Sequence, residues 1–325
     1  MPASSLDAVS SSILVELVPD AVNPTPLRSR GARVAALCML LLIGAGTPSQ
    51  AARIVVLQAS DAPRLAKTLA ALQKHAGTQL DVVPLAQTSA QSWASTLAKE
   101  PRPGVVIALG PLASDFLVRL PSGPPTVHCL AGADALRAGT LSLPSEVPED
   151  AKASWLRRLV PSAKTVGVAF DAATNARRAE AVAAGLGAAG YSTLLAPVSH
   201  PSGIPAAIEQ IVTRADVLLA LPDPTVYTRE SARGILLHAF RKRTPVVGHN
   251  DDWVRMGALF AVYWDYDEIG AACAQLALRE LQGSRSSIAQ PPPPKPRVSV
   301  NLRIATQLGL RWDADALRGV DIRHE

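Results

Sequence analysis

The sequence predicts an α/β protein of two doubly wound, parallel-sheet lobes joined by a hinge. Three observations carry that reading: short unbroken apolar runs alternate with amphipathic stretches, the alternation runs as two successive series, and polar turns follow the runs at one end. With 325 residues, 48% of them hydrophobic and 18% charged, the chain holds material for more than one core, since single cores stop growing at about 250–300 residues.

The run from Arg53 to Gln58 is continuous and apolar, bounded by Ser60, Asp61 and Pro63, as expected of a parallel strand buried on both faces. Leu65, Leu69 and Leu72 then share one helical face, which stops near Gly77. A strand over 80–84, a helix around Trp93 and Leu97, a strand over 105–109, a helix from Pro111 to Arg119 and a strand over 125–129 continue the first series. The second series reads helix 150–159, strand 165–170, helix 175–189, strand 193–197, helix 204–215 and strand 217–221. It goes on with helix 229–242, strands 245–248 and 259–263, and helix 268–281. After the polyproline spacer Gln290 to Pro294 come a last strand over 297–300 and a helix from Leu302.

A different physical signal precedes all of this. Arg28, Arg30 and Arg33 stand before the apolar run Val34 to Ala45, which is followed by Ser49-Gln50-Ala51: a charged, an apolar and a small-residue region in the order of a secretory signal peptide. Gly44, Gly46 and Pro48 break the run well short of the roughly 20 apolar residues that a spanning helix needs. Residues 1–51 are therefore expected to be an N-terminal extension plus a leader cleaved after Ala51, which places the mature protein in the periplasm. Cleavage removes three Arg and three acidic residues, so the formal charge stays at +5.

The basic residues are scattered without interleaved aromatics, which argues against nucleic acid as a partner. No G-x-S-x-G, G-x-x-x-x-G-K-[ST] or H-E-x-x-H pattern occurs, and the six His lack metal-ligand spacing, so the expectation is no enzyme, no cofactor and no metal. Cys38 goes with the leader. Cys129 and Cys273 could pair in an oxidising compartment, but their apolar surroundings favour buried free thiols.

Polar groups gather where strands end, which is where open α/β sheets bind ligands. Ser60 and Asp61 follow the first strand and Gly110 and Pro111 the third, while Asp171 follows 165–170. Asp223 follows 217–221, Asn250 and Asp251 follow 245–248, and Trp264 and Tyr266 follow 259–263. Each cluster alone equally suits a turn or helix cap; six at one end favour a cleft. Tyr227 and Tyr263, with Trp253 and Trp264, offer aromatic walls or simple packing.

From about Leu143 to Leu310 the chain resembles the solute-binding proteins of uncharacterised ABC-type transport systems, related to tryptophan-type binding proteins and having the type I periplasmic binding fold. The residues that carry the likeness are Leu159 to Val168, Ala215 to Asp223, Thr244 to Gly248 leading to Gly257-Ala258-Leu259, and Val300 to Leu310. The resemblance implies a small molecule held between the lobes and delivered to an ABC permease, with Asp223 facing the cleft from the second lobe. It places Asn250 and Asp251 where the family usually has a Ser and an acid. It also exposes a departure: the family often has Gly-Ser or Gly-Thr after the third strand, and Gly110-Pro111 provides neither the hydroxyl nor the second N–H. The lobes implied are 52–138 plus 265–295 and 139–264 plus 296–325, in a monomer. The alternative is an envelope binding module of the same fold serving a sensor or a secretion or assembly system.

Overall fold

The computed structural model describes residues 53–120, 122–132, 135–136, 140–223, 225–283 and 292–325. The leader and its cleavage point, Cys38, Pro224 and the start of the polyproline spacer lie outside the described residues. Contacts divide the chain into Met1–Ser49 and Gln50–Glu325, and the second unit is described here.

The first sheet contains β1 (Arg53–Gln58), β2 (Leu80–Pro84), β3 (Pro103–Leu109), β4 (Thr126–Ala131) and β5 (Leu141–Pro144), all parallel, in the order β2-β1-β3-β4-β5. Ile54 to Leu57 and Val105 to Leu109 are sealed from solvent, because α1 (Pro63–Ala76), α2 (Ala90–Ala98) and α3 (Pro111–Val118) leave neither face open. Leu65 and Leu72 of α1 are buried and Leu69 packs against the same core. The strand at 141–144 stands in the first sheet, so that sheet runs past the boundary expected at 138.

The second sheet holds β6 (Thr165–Asp171), β7 (Ser192–Val198), β8 (Val217–Leu219), β9 (Val246–Gly248), β10 (Phe260–Tyr263), β11 (Arg297–Asn301) and β12 (Ile322–His324). Its order is β12-β11-β10-β9-β8-β6-β7, parallel except where β10 meets β11. Around it lie α4 (Glu149–Leu159), α5 (Ala176–Ala188), α6 (Ile204–Arg214), α7 (Arg229–Arg241), α8 (Asp251–Met256) and α10 (Leu302–Gln307). Ends are set locally: Thr228 and Ser231 form a capping box at α7, and Asn301 Oδ1 accepts from Ile304 N at α10.

The helix α9 (Tyr266–Leu281) follows the second sheet's β10 yet packs on α1, β3 and β4 of the first sheet. Gly270 makes this possible, since a Cβ there would come within 2.5 Å of the Thr68 carbonyl oxygen. The chain thus passes between the sheets three times, after β5, after β10 and after α9. Cys273 on α9 is bonded to Cys129 on β4, across a sequence separation of 144, which overturns the expectation of free thiols. The apolar surroundings that suggested thiols are the interface that brings the two sulfurs together. Among the described residues, no helix is long and apolar enough to cross a membrane, and no group of three or more His, Cys, Asp or Glu is placed to hold a metal.

Candidate functional site

Strand order reverses twice. In the first sheet β1 is flanked by β2 and β3, and in the second β6 is flanked by β7 and β8, so each sheet has a crevice at those carboxyl ends. Ser60, Asp61, Gly110, Pro111 and Asp223 follow the strands at these crevices and Asp171 ends one, but most of their polar atoms are already engaged.

Asp223 is buried at 7% exposure and its carboxylate accepts four hydrogen bonds from the protein. Oδ2 takes Asp171 N (2.8 Å) and Asn175 Nδ2 (2.6 Å), and Oδ1 takes Thr225 N (2.8 Å) and Val226 N (2.7 Å). These bonds brace the crevice between β6, α5 and the loop after β8. Asp171 is used similarly: Ala173 N and Thr174 N donate to Oδ1 (2.8 and 2.9 Å) and the Thr225 hydroxyl to Oδ2. These bonds, the Thr225 hydroxyl foremost, hold its carboxyl below the usual range.

Tyr227 is a core residue. Its hydroxyl lies 3.3 Å from Ala169 N and 3.4 Å from the Leu219 carbonyl, its ring meets Trp253 edge-on at 5.5 Å, and burial pushes its phenol up. Asn250 caps α8 through Trp253 N (3.1 Å). Asp251 turns to the far edge of the sheet, where it accepts from Arg255 Nε (2.8 Å) and meets His324 Nε2 of β12 at 2.7 Å. Burial would raise its pKa, but the bonds from His324 and Arg255 outweigh it and hold the carboxyl low.

In the first lobe, Ser60 and Asp61 are exposed, and the Ser60 carbonyl and Asp61 Oδ1 accept from Gln58 Nε2 at 2.9 and 3.2 Å. Gly110 has φ +100°, and a Cβ there would meet Ala59 Cβ at 2.9 Å, so glycine is needed where the strand turns into α3. Its N–H is spent on the Cys129 carbonyl (2.8 Å), and Pro111 has none.

A narrow cavity of about 30 Å3 lies where the passages between the sheets meet the carboxyl ends of β8, β9 and β10, lined by Ser145 to Val147, Pro222, His249, Tyr263, Trp264 and Tyr266 among others. Of the residues expected in the site, Tyr263 lines it; burial and the charge of Asp251 push its phenol up to about 12. The space suits about one water molecule, so a solute must enter while the lobes stand apart and be enclosed as they close. Roomier depressions of about 390 Å3 and about 520 Å3 lie between α6 and α7 and beside Trp312.

Sequence reasoning missed the groups that dominate this cavity's electrostatics. Glu146, just after β5, is in ion-pair contact with Arg64 Nη1 of α1 (3.3 Å) and with Arg178 Nη2 of α5. Arg178 Nη1 donates to the Pro222 carbonyl (2.7 Å). Of the residues that line the cavity, His249 and Trp264 each bury a ring nitrogen, Nδ1 and Nε1, without a hydrogen-bond partner among the described residues. Burial, with Arg178 and Arg64 adding to it, lowers the His249 pKa to about 4, so the ring is neutral at neutral pH. A signal was available, since an arginine opens the helix after the first strand of each sheet.

The family model described as ABC transporter substrate binding protein matches residues 140–318. Among solved structures, the chain is similar to a ligand-free, open substrate binding protein with adhesive properties from Clostridium difficile, with TM-score 0.63, 20% identity, and 84% of this chain and 100% of that one covered. It is also similar to a conserved domain protein from Vibrio cholerae (0.59, 20%, 84% and 99%) and to an ABC domain in complex with L-Trp from Streptococcus pneumonia (0.57, 18%, 83% and 100%). At such identities the likeness shows the fold, which is the type I periplasmic binding fold. Among curated proteins, none matches this chain in sequence.

Proposed function

The chain belongs to the ABC transporter substrate binding protein family, and from that premise we propose that it is the periplasmic solute receptor of an ABC-type importer, holding a small molecule between its lobes for an inner-membrane permease. The observation that supports this most is the pair of buried, unpartnered ring nitrogens of His249 and Trp264, beside strand carboxyl ends and the passages between the lobes. Unpartnered polar groups are costly inside a protein, and a bound solute would satisfy them. The leader read at Arg28 to Ala51 supports export, with cleavage after Ala51 releasing the mature receptor, which we take to act as a monomer. The buried carboxylates described above are held by hydrogen bonds that brace backbone, an arrangement suited to a receptor without catalysis of its own.

Thermal-shift screening of the purified protein over amino acids, organic acids, sugars and nucleobases, followed by small-angle scattering on each hit, tests the reading. A solute that binds only the folded form raises the melting midpoint, and one that bridges the lobes also lowers the radius of gyration. Hits that leave the radius unchanged would place the solute on one lobe and remove the cleft from the proposal.

A further inference from the structure

Resting on that receptor reading, we propose that the cleft takes a small organic carboxylate, whose carboxylate replaces Glu146 between Arg64 and Arg178. The geometry that points to it is a carboxylate seat already built and filled from within. Arg64 reaches Glu146 Oε1 from α1 of the first lobe, and Arg178 reaches Oε2 from α5 of the second, so one carboxylate ties both lobes. Glu146 belongs to the passage between them and keeps a third of its side chain exposed, so it can swing away.

The balance of donors and acceptors points the same way. Around the cavity stand two guanidiniums, the Lys152 ammonium, which is paired with Glu149 at 2.7 Å, and the Trp264 indole N–H, the last on a residue only 3% exposed and with no acceptor among the described residues. Glu146 is the carboxylate those guanidiniums share, while Asp171 and Asp223 nearby are taken up by backbone, amide and hydroxyl donors. A guest carboxylate would accept from Arg64 and Arg178 together, a charge-assisted pairing that favours planar carboxylates. A second acceptor on the guest would meet the Trp264 N–H. Because the two arginines come from different lobes, the guest would draw the lobes together as it binds.

The test compares acids with their own amides on the whole purified protein: acetate, benzoate, indole-3-acetate and L-tryptophan, each beside its amide, with inorganic phosphate and sulfate as further arms and ribose and myo-inositol as neutral arms. At least one acid should raise the melting midpoint and contract the particle while its amide does neither. For that acid, Arg178→Gln should weaken affinity about ten- to a hundredfold, the loss expected for a charged hydrogen bond. Glu146→Gln should strengthen it by removing the internal competitor. The acid-against-amide comparison on the unmutated protein stands even if a variant fails to fold. Equal binding of an acid and its amide, or a response confined to phosphate or sulfate, overturns the carboxylate assignment. A sugar that contracts the particle when no acid does overturns it too, yet leaves the receptor reading intact. Contraction by none of the probes counts against both.

Discussion

Replacing Asp223 by Asn separates a brace from a ligand contact. The carboxylate accepts two donors on each oxygen: Asp171 N and Asn175 Nδ2 on one, Thr225 N and Val226 N on the other. An amide turned either way sets its NH2 against two donors, so two bonds are lost and two like groups are pressed together. Charge-assisted bonds contribute about 1.5–3 kcal/mol each. Since three of the four donors are only part-buried and can recover water, the lower end applies, and two losses amount to about 3 kcal/mol. For a chain of this size that corresponds to a melting midpoint lower by about 6–12 °C. Circular dichroism melts of Asp223→Asn and of the exposed control Asp61→Asn measure it, and the control should stay within about 2 °C of the unmutated protein. An Asp223→Asn variant that melts like the unmutated protein but loses its solute would refute the brace and return Asp223 to the cleft.

Two further outcomes are expected. Closing a loop whose ends lie 144 residues apart, the Cys129–Cys273 bond should stabilise the fold by about 5 kcal/mol in the chain-entropy account. Urea midpoints should fall on adding dithiothreitol, and denatured, unreduced mature protein should show no free thiol; two titratable thiols would rule the bond out. The second concerns acid. His128 and His249 have pKa values lowered by burial from 6.5 to about 4, so between those values the unfolded chain binds protons that the folded chain refuses. Stability is therefore full above about pH 6.5 and declines as pH falls toward 4, by about 3 kcal/mol for His249. Denaturation midpoints between pH 7 and 4 should follow that slope, and His249→Gln should flatten it; an unchanged slope would mean the ring is already protonated in the fold.

The sequence by itself determined the elements. Continuous apolar runs such as Ile54 to Leu57 can be satisfied only between two covering layers, and the leucine spacing of 63–76 admits one packed helical face, so strand, helix and their alternation follow from local period. Asn250 reads as a ligand residue with a cap as the alternative, and the cap needs nothing beyond the backbone three residues on. What the tertiary structure decided was which group each polar atom meets. Asp223 read as a ligand residue because two of its four donors, Asp171 N and Asn175 Nδ2, lie 52 and 48 positions back and reach it only when β6 and β8 lie side by side; Thr225 N and Val226 N are local. The short strands β5 and β12 pair with neighbours already in place, and carry too few residues for a period of their own. The pairing of Cys129 with Cys273 and the meeting of Arg64, Glu146 and Arg178 likewise wait on α9 crossing back to the first sheet and on the lobes facing each other. Periodicity records how a residue relates to neighbours a few positions away, whereas charge pairing and crosslinking depend on distances set by the completed stack of strands.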